Sequence, residues 1–548
     1  MPIRFETLAV HGGQHPDPTT LSRGVPVYRT SSYLFKSAEH AAKLFGLAEQ
    51  GNVYGRLGNP TQAMLEERMS LLEGGVGALA SASGTSAIFS TIVNLAKQGD
   101  EIVSANNLYG GTFTLFNDIL PQFGITTRFV KPQDFDKMEA AVNGRTRALY
   151  VEAIGNPALD VADLDAVSAI AKRHGLPLVV DATFATPYLL RPFEHGADIV
   201  VHSLTKWLGG HGTALGGIVV DGGTFDWTDS RFSLYVEPDA SYHYLRWGYD
   251  LPEGYPPFIT RMRLVPLRNL GACISPDNAW MILQGLETLP LRMERHCANA
   301  LKVAYHLKQH PKVAWVRYPG LPDDPAHAAA CRMLRNGFGG MVVFGIQGGQ
   351  PAGQRFIEKL GLFSHLANVG DAKSLALHPA STSHAQLSEE QQRDAGLPPE
   401  LIRLSIGIEH IDDILEDLDH LSRSGGCGPL GGKHALFDSH PIRAPFFDQF
   451  GGTACGGLCP VGGNRPRGRR FRQVSRADRT RLAPCGHFAF RTRGQGRLCA
   501  CEIPGRHPYG RGLRAFGRAH FSGGMPARGK KLRTGRRLPH KMVLAGAG

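Results

Sequence analysis

Three stretches of the chain place reactive groups where a buried strand gives way to a turn. In Ala197-Asp198-Ile199-Val200-Val201-His202-Ser203-Leu204-Thr205-Lys206, an apolar run ends in a lysine, and Gly209-Gly210-His211-Gly212 follows. A lysine at a strand end in a cleft is desolvated, which disfavours the ammonium and leaves a nucleophilic amine able to form a Schiff base. Earlier in the chain, Val179-Val180-Asp181-Ala182-Thr183-Phe184 finishes a second apolar strand in a carboxylate. Ser81-Ala82-Ser83-Gly84-Thr85-Ser86-Ala87 is a run of small residues opening the apolar helical stretch Ile88–Leu95. Free N–H groups and the positive end of a helix dipole make such a start an anion cradle, and Thr85 adds a hydroxyl.

An amine, an acid and a phosphate cradle are together what pyridoxal phosphate requires. Lys206 would carry it, and Asp181 would stand beside its ring nitrogen, where an anion keeps the ring protonated and a stronger electron sink. Taken singly, each group has a plainer reading: a solvated lysine, a turn aspartate, a structural Gly/Ser turn. Tyr109, in Asn106-Asn107-Leu108-Tyr109-Gly110-Gly111, could stack on a flat ring or be an ordinary loop tyrosine. Arg403, in Ile402-Arg403-Leu404-Ser405-Ile406-Gly407, sits among apolar neighbours and should meet an anion, either a substrate carboxylate or a structural acid.

These groups need strands to hold them. From about residue 75 to 220, β-rich runs alternate with helical stretches, the pattern of a parallel sheet covered by helices. Strand candidates include Asp100–Ser104, Ile125–Val130, Ala148–Glu152, Leu178–Asp181 and Ile199–His202. Ligands of such sheets bind at the carboxyl ends of the strands. A second region, from about 270 to 423, opens with a helical pattern from Pro276 to Leu307. It continues through the strand-like Met341–Ile346 and Leu401–Ile408 to the amphipathic run Ile411–Leu421, and reads as a smaller α+β domain.

Together these segments resemble the Cys/Met-metabolism family of fold-type I pyridoxal-phosphate enzymes from about residue 5 to 422. Carrying the resemblance are Tyr54-Gly55-Arg56-Leu57-Gly58-Asn59-Pro60-Thr61, the Gly84 turn, the Asp181 strand and Ser203-Leu204-Thr205-Lys206. Gln284-Gly285-Leu286-Glu287-Thr288-Leu289 and Arg403-Leu404-Ser405-Ile406-Gly407 complete the set. The resemblance implies an α/β fold with a mostly parallel sheet: an N-terminal arm over residues 1–60, a cofactor-binding large domain over 61–265 and a C-terminal small domain over 266–423. It implies that Lys206, Asp181 and Tyr109 do the chemistry, and that Gly84, Thr85, Ser203 and Thr205 hold the phosphate. Tyr54 and Arg56 would reach in from a neighbouring subunit of a homotetramer. Asn156 would lie near the cofactor's 3-oxygen, and Arg403 with Ser374 near the substrate carboxylate.

Gly370-Asp371-Ala372-Lys373-Ser374-Leu375, followed by His378-Pro379-Ala380-Ser381-Thr382, is similar to the branch of the family that replaces the acetate of O-acetylhomoserine by sulfide or a thiol. A γ-lyase activity or an O-succinyl substrate is the neighbouring alternative. Ala182 stands where many relatives have asparagine, which puts one hydrogen bond to Asp181 in question.

The remaining 125 residues have another texture. Residues 424–548 hold 24 of the 60 Lys and Arg but 4 of the 48 Asp and Glu, so the tail is net +20 and the body net −8. Apolar periodicity is lost, as in Gly462-Gly463-Asn464-Arg465-Pro466-Arg467-Gly468-Arg469-Arg470. The tail is expected to be disordered or an out-of-frame translation, with a basic arm for nucleic acid as the distant alternative. Cys455, Cys459, Cys499 and Cys501 lack the regular spacing of a zinc site. No apolar stretch approaches the ~18 residues needed to span a bilayer, and a cytoplasmic enzyme without metal is expected.

Overall fold

The computed structural model describes residues 3–382 and 397–419. The basic tail, with its arginine runs and cysteines, lies outside the described residues. Seven strands form the first sheet: β1 (Gly77–Ser81), β2 (Glu101–Ala105), β3 (Thr126–Val130), β4 (Thr146–Glu152), β5 (Leu178–Asp181), β6 (Ile199–Ser203) and β7 (Gly217–Asp221). Their order is β1-β7-β6-β5-β4-β2-β3. The run from β6 to β3 is parallel, as the alternation of strands and helices implies, while β7 is antiparallel to β6 and to β1. Strand β7 returns antiparallel directly after β6 with no crossover helix between them, so the alternation gives no signal there; β1 is also absent from the strand candidates, although a helix follows it.

The central strands are apolar along their whole length because both faces are covered. Leu178, Val179 and Val180 are fully buried, as are Ile199, Val200 and Val201. Each such side chain contributes roughly 1.5–3 kcal/mol on leaving water, which offsets the placing of polar groups at the strand ends. Strand β3 lies on one side of β2 and β4 on the other, so the chain reverses direction across the sheet at β2. The crevice beyond the carboxyl ends of β2 and β4 is where such a sheet binds ligands.

A second sheet contains β8 (Val313–Arg317), β9 (Met341–Ile346), β10 (Ser364–His365), β11 (Leu375–Leu377) and β12 (Leu401–Ser405), in the order β10-β11-β12-β9-β8. Strand β12 is interior and antiparallel to both neighbours, which pairs Arg403 with Leu377 and with Val343. The long helical pattern beginning at Pro276 is two helices, Pro276–Glu287 and Leu289–Gln309. The break falls at Thr288, just before Pro290, whose missing N–H and fixed φ suit the start of a helix rather than its interior. The amphipathic segment near the end forms the helix Ile411–Leu418.

Before residue 60 the chain forms two short helices, Phe5–His11 and Ala38–Phe45, joined by non-helical backbone that leaves Leu34 97% exposed. Among the described residues no helix is long and apolar enough to cross a membrane. The three cysteines of the body are free thiols.

Candidate active site

The carboxyl ends of β4, β5 and β6 open on one cavity of about 210 Å³, and the groups with reactive chemistry collect on it. Asp181 ends β5. Its Oδ1 accepts the Thr183 N–H at 2.9 Å and its Oδ2 lies 3.4 Å from the Tyr150 hydroxyl, so Ala182 leaves the carboxylate supported from two other sides. Burial pushes its pKa up, and it makes no ion pair with any described residue. Glu152, in register with Asp181 at the end of β4, accepts the Tyr109 N–H at 2.7 Å. Burial and then the Asp181 charge push the Glu152 carboxyl well above the usual range. Two adjoining buried carboxyls tolerate one negative charge between them, and both line the cavity. Glu152 was missed in the sequence, although it ends a strand just as Asp181 does.

Lys206 lies three residues past β6, and its Nζ donates to Asn368 Oδ1 at 2.5 Å. Burial, with the Arg403 charge as a smaller cause, lowers its pKa to about 8. The amine is thus reactive near neutrality, as a strand-end lysine in a cleft should be. Asn368 was not singled out in the sequence; the only signal is its place just ahead of Gly370-Asp371. Gly370 has φ 75°, and a Cβ there would lie 2.6 Å from the Trp207 nitrogen, so this loop packs directly on the backbone beside Lys206.

The Gly84–Leu95 helix begins at the cavity. Ser83 caps it, with Ser83 Oγ accepting the Ser86 N–H and Ser86 Oγ accepting the Ser83 N–H. The N–H groups of Gly84 and Thr85 have no partner among the described residues and adjoin the cavity wall. A Cβ on Gly84 would come within 2.7 Å of Ser203 Cβ. Only glycine lets the helix start approach β6 closely enough to form one surface with Ser203 and Thr205.

The second sheet supplies Arg403. It donates from Nη1 to Asn156 Oδ1 at 3.2 Å and pairs with no carboxylate among the described residues. Burial lowers its pKa to about 10, still cationic at neutral pH. Tyr109 stands half-exposed at the cavity edge.

Ser374 is not at the cavity. It is fully buried, its Oγ donating to Glu409 Oε2 at 2.9 Å and accepting the Gly407 N–H at 2.9 Å. The expectation that it touches substrate is therefore corrected: its hydroxyl ties β11 to the turn after β12. Tyr54 and Arg56 also stand outside the cavity of their own chain. The Arg56 guanidinium lies 5.3 Å from the Tyr54 ring centre and donates to the Arg268 carbonyl.

The donor set fits pyridoxal phosphate group by group. Gly84, Thr85, Ser203 and Thr205 offer N–H and hydroxyl donors for a phosphate; Asp181 is a carboxyl with no ion-pair partner among the described residues, suited to a protonated ring nitrogen; Lys206 is a partly deprotonated amine suited to an aldehyde.

Comparison with known proteins agrees with that chemistry. The family model described as "Cys/Met metabolism PLP-dependent enzyme" matches residues 6–421. The chain is 54% identical over 428 residues to the O-acetyl-L-homoserine sulfhydrylase of Leptospira meyeri, covering 76% of this chain and 97% of that protein. It is 50% identical over 423 residues to O-acetyl-L-homoserine sulfhydrylase 1 of Thermus thermophilus, covering 76% and 99%. With the homocysteine synthase of Schizosaccharomyces pombe it shares 48% over 425 residues, covering 76% and 98%. A solved Campylobacter jejuni structure, assigned as an O-acetylhomoserine (thiol)-lyase with N′-pyridoxyl-lysine-5′-monophosphate at its position 205, superposes with a TM-score of 0.74 at 41% identity. It covers 77% of this chain and all of that one.

Proposed function

The chain belongs to the Cys/Met metabolism family of PLP-dependent enzymes, and from that premise we propose that it converts O-acetylhomoserine and sulfide to homocysteine and acetate. The observation that carries the proposal is that Lys206, Asp181 and Arg403, none with an ion-pair partner among the described residues, line one cavity. Relatives named for O-acetylhomoserine sulfhydrylase and homocysteine synthase, at 48–54% identity over nearly their whole length, support the same reaction.

Pyridoxal phosphate, when bound, supplies the electron sink that acidifies the hydrogens beside the substrate's amine-bearing carbon. Lys206 would carry it, with Asp181 against its ring nitrogen, Tyr109 over its face and Asn156 near its 3-oxygen. The N–H groups of Gly84 and Thr85 and the hydroxyls of Thr85, Ser203 and Thr205 would hold its phosphate. Arg403 would grip the substrate's α-carboxylate through its planar fork, fixing which end of the molecule faces Lys206.

An amine whose pKa is about 8 both takes and returns protons near neutrality. Lys206 would accept the α-proton, a second proton would leave the β-carbon, and acetate would depart from the γ-carbon with its bonding pair. Sulfide then adds at the γ-carbon, and protons returned to the β- and α-carbons complete homocysteine. A small thiol in place of sulfide would give a thioether. The exposed Tyr54, away from its own chain's cavity together with Arg56, supports a role for both in a neighbouring subunit's site and so at least a dimer; by the family resemblance we propose a homotetramer, in the cytoplasm.

The purified protein, supplied with pyridoxal phosphate, O-acetylhomoserine and sulfide, should yield homocysteine and acetate in equal amounts. Predominant 2-oxobutyrate would replace this reading with γ-elimination, and turnover confined to O-succinylhomoserine would overturn the acetyl preference.

A further inference from the structure

The segment Gln284-Gly285-Leu286-Glu287-Thr288-Leu289 places no group in the cavity, yet it meets the turn that carries Lys206. A Cβ on Gly285 would lie 2.3 Å from the Gly209 carbonyl oxygen and 2.7 Å from that of Leu208, so only glycine lets the Pro276–Glu287 helix touch this turn. Arg292, in the first turn of the Leu289–Gln309 helix, closes the contact. Its side chain is 5% exposed. Nη1 donates to the Trp207 carbonyl at 2.7 Å; Nη2 donates to the Gly285 carbonyl at 2.6 Å and more weakly to that of Leu208 at 3.4 Å. Nε donates to Thr288 Oγ1 at 3.1 Å. No carboxylate pairs with this guanidinium among the described residues.

A buried guanidinium held only by neutral oxygens is an expensive way to fasten two elements if fastening were all that was needed, since apolar packing would serve. The rigid fork provides something apolar packing lacks: it fixes the orientation of the peptide units immediately after Lys206. Gly210 has φ +71°, and a Cβ there would come within 2.2 Å of Nη1, so the turn is folded closely over the guanidinium. The flexible lysine side chain is thereby anchored at its origin by Arg292 and at its tip by Asn368.

We propose that Arg292, seated on Gly285 and Thr288, is a positioning residue that aims Lys206 into the cavity. This rests on the reading of Lys206 as the cofactor-bearing lysine. Displacements near 1 Å away from reacting atoms cost rates of the order of 10²-fold, so the fork should govern rate rather than substrate affinity, which belongs to Arg403.

The test uses the full chain as wild type, Arg292→Lys, Arg292→Ala and Gly285→Ala. Cofactor-free protein is mixed with pyridoxal phosphate, attachment is followed by visible absorbance, and after borohydride reduction the modified lysine is mapped by peptide mass spectrometry. In the wild type the adduct maps to Lys206; an adduct elsewhere refutes the functional reading itself. In the variants it should still map to Lys206, with attachment slowed about 10-fold in Arg292→Lys and about 100-fold in Arg292→Ala. Steady-state kcat should fall in parallel while KM for O-acetylhomoserine stays within about threefold. Gly285→Ala keeps the guanidinium but forces the helix from the turn, and should reproduce the Arg292→Lys pattern, which keeps the question decidable if Arg292→Ala does not fold. Attachment and kcat within about twofold of wild type in Arg292→Lys and Gly285→Ala, or KM rising as much as kcat falls, would overturn the proposal.

Discussion

The wall of the cavity built from the first sheet and the wall built from the second differ in how their groups are held. Asp181 and Ser203 end strands whose apolar residues are buried to nothing, and Gly84 is pressed against Ser203 by close packing. Arg403 comes from the interior of β12, while Asn368 comes from the loop between β10 and β11. On the first wall, strand ends and the close packing beside them set where each group sits. The second combines one fixed guanidinium with a loop, and suits the binding of a substrate that must enter and leave. On the proposed reading the first sheet holds the cofactor and the second grips the substrate, so substitutions on the two walls should separate in kinetics.

Short of removing Lys206, the largest effect is expected at Asp181. Asp181→Ala should lower kcat by about 10³-fold, the scale of a lost electrostatic partner at a developing charge, with Asp181→Glu recovering part of it. A loss of less than 10-fold would break the division of labour. Arg403→Ala should instead raise KM by about 10²-fold with a smaller change in kcat, since charge-assisted hydrogen bonds to a carboxylate contribute ~1.5–3 kcal/mol each. Equal loss in kcat and unchanged KM would place Arg403 with the cofactor wall.

A third experiment couples the walls. The Lys206 pKa is lowered from 10.5 to about 8, by burial first and by the Arg403 charge second. Acylation of Lys206 in cofactor-free protein, followed by mass spectrometry, should therefore have its pH midpoint near 8, moving upward in Arg403→Ala. The folded value lies below the unfolded one, so unfolding takes up a proton between about pH 8 and 10.5. Stability of the cofactor-free protein should rise with pH across that window, and less steeply in Arg403→Ala. An identical midpoint in both proteins would remove the coupling. The smallest effect is expected at Ser374, where Ser374→Ala should cost about 1 kcal/mol of stability through its lost hydrogen bonds and leave KM within about twofold. A KM rise comparable to that of Arg403→Ala would return Ser374 to the substrate.

The first wall was the more legible in the sequence, for a physical reason. A strand that is apolar throughout and ends in a carboxylate or lysine carries its fold and its chemistry within a few consecutive residues, so Asp181, Lys206 and the Gly84 turn could be read locally. Glu152 carried the same signal and was overlooked because its role depends on its register with Asp181. The second wall depends on which loops meet. Arg403 was found because a guanidinium among apolar residues demands an anion, but whether that anion is structural or substrate could not be read locally. Ser374 was misplaced because nothing in Gly370 to Ser374 reveals that Glu409 claims its hydroxyl. Asn368 had no local signal at all, and the hold of Arg292 on the Lys206 turn spans 85 residues of sequence.

The most direct measurement is the visible spectrum of Lys206→Ala after addition of pyridoxal phosphate, set beside the wild type. The wild type should show the absorbance of cofactor joined to a lysine, and Lys206→Ala should show only that of free pyridoxal phosphate, with no homocysteine formed. A spectrum and activity unchanged by the substitution would contradict the assignment of Lys206 on which the whole cavity is interpreted.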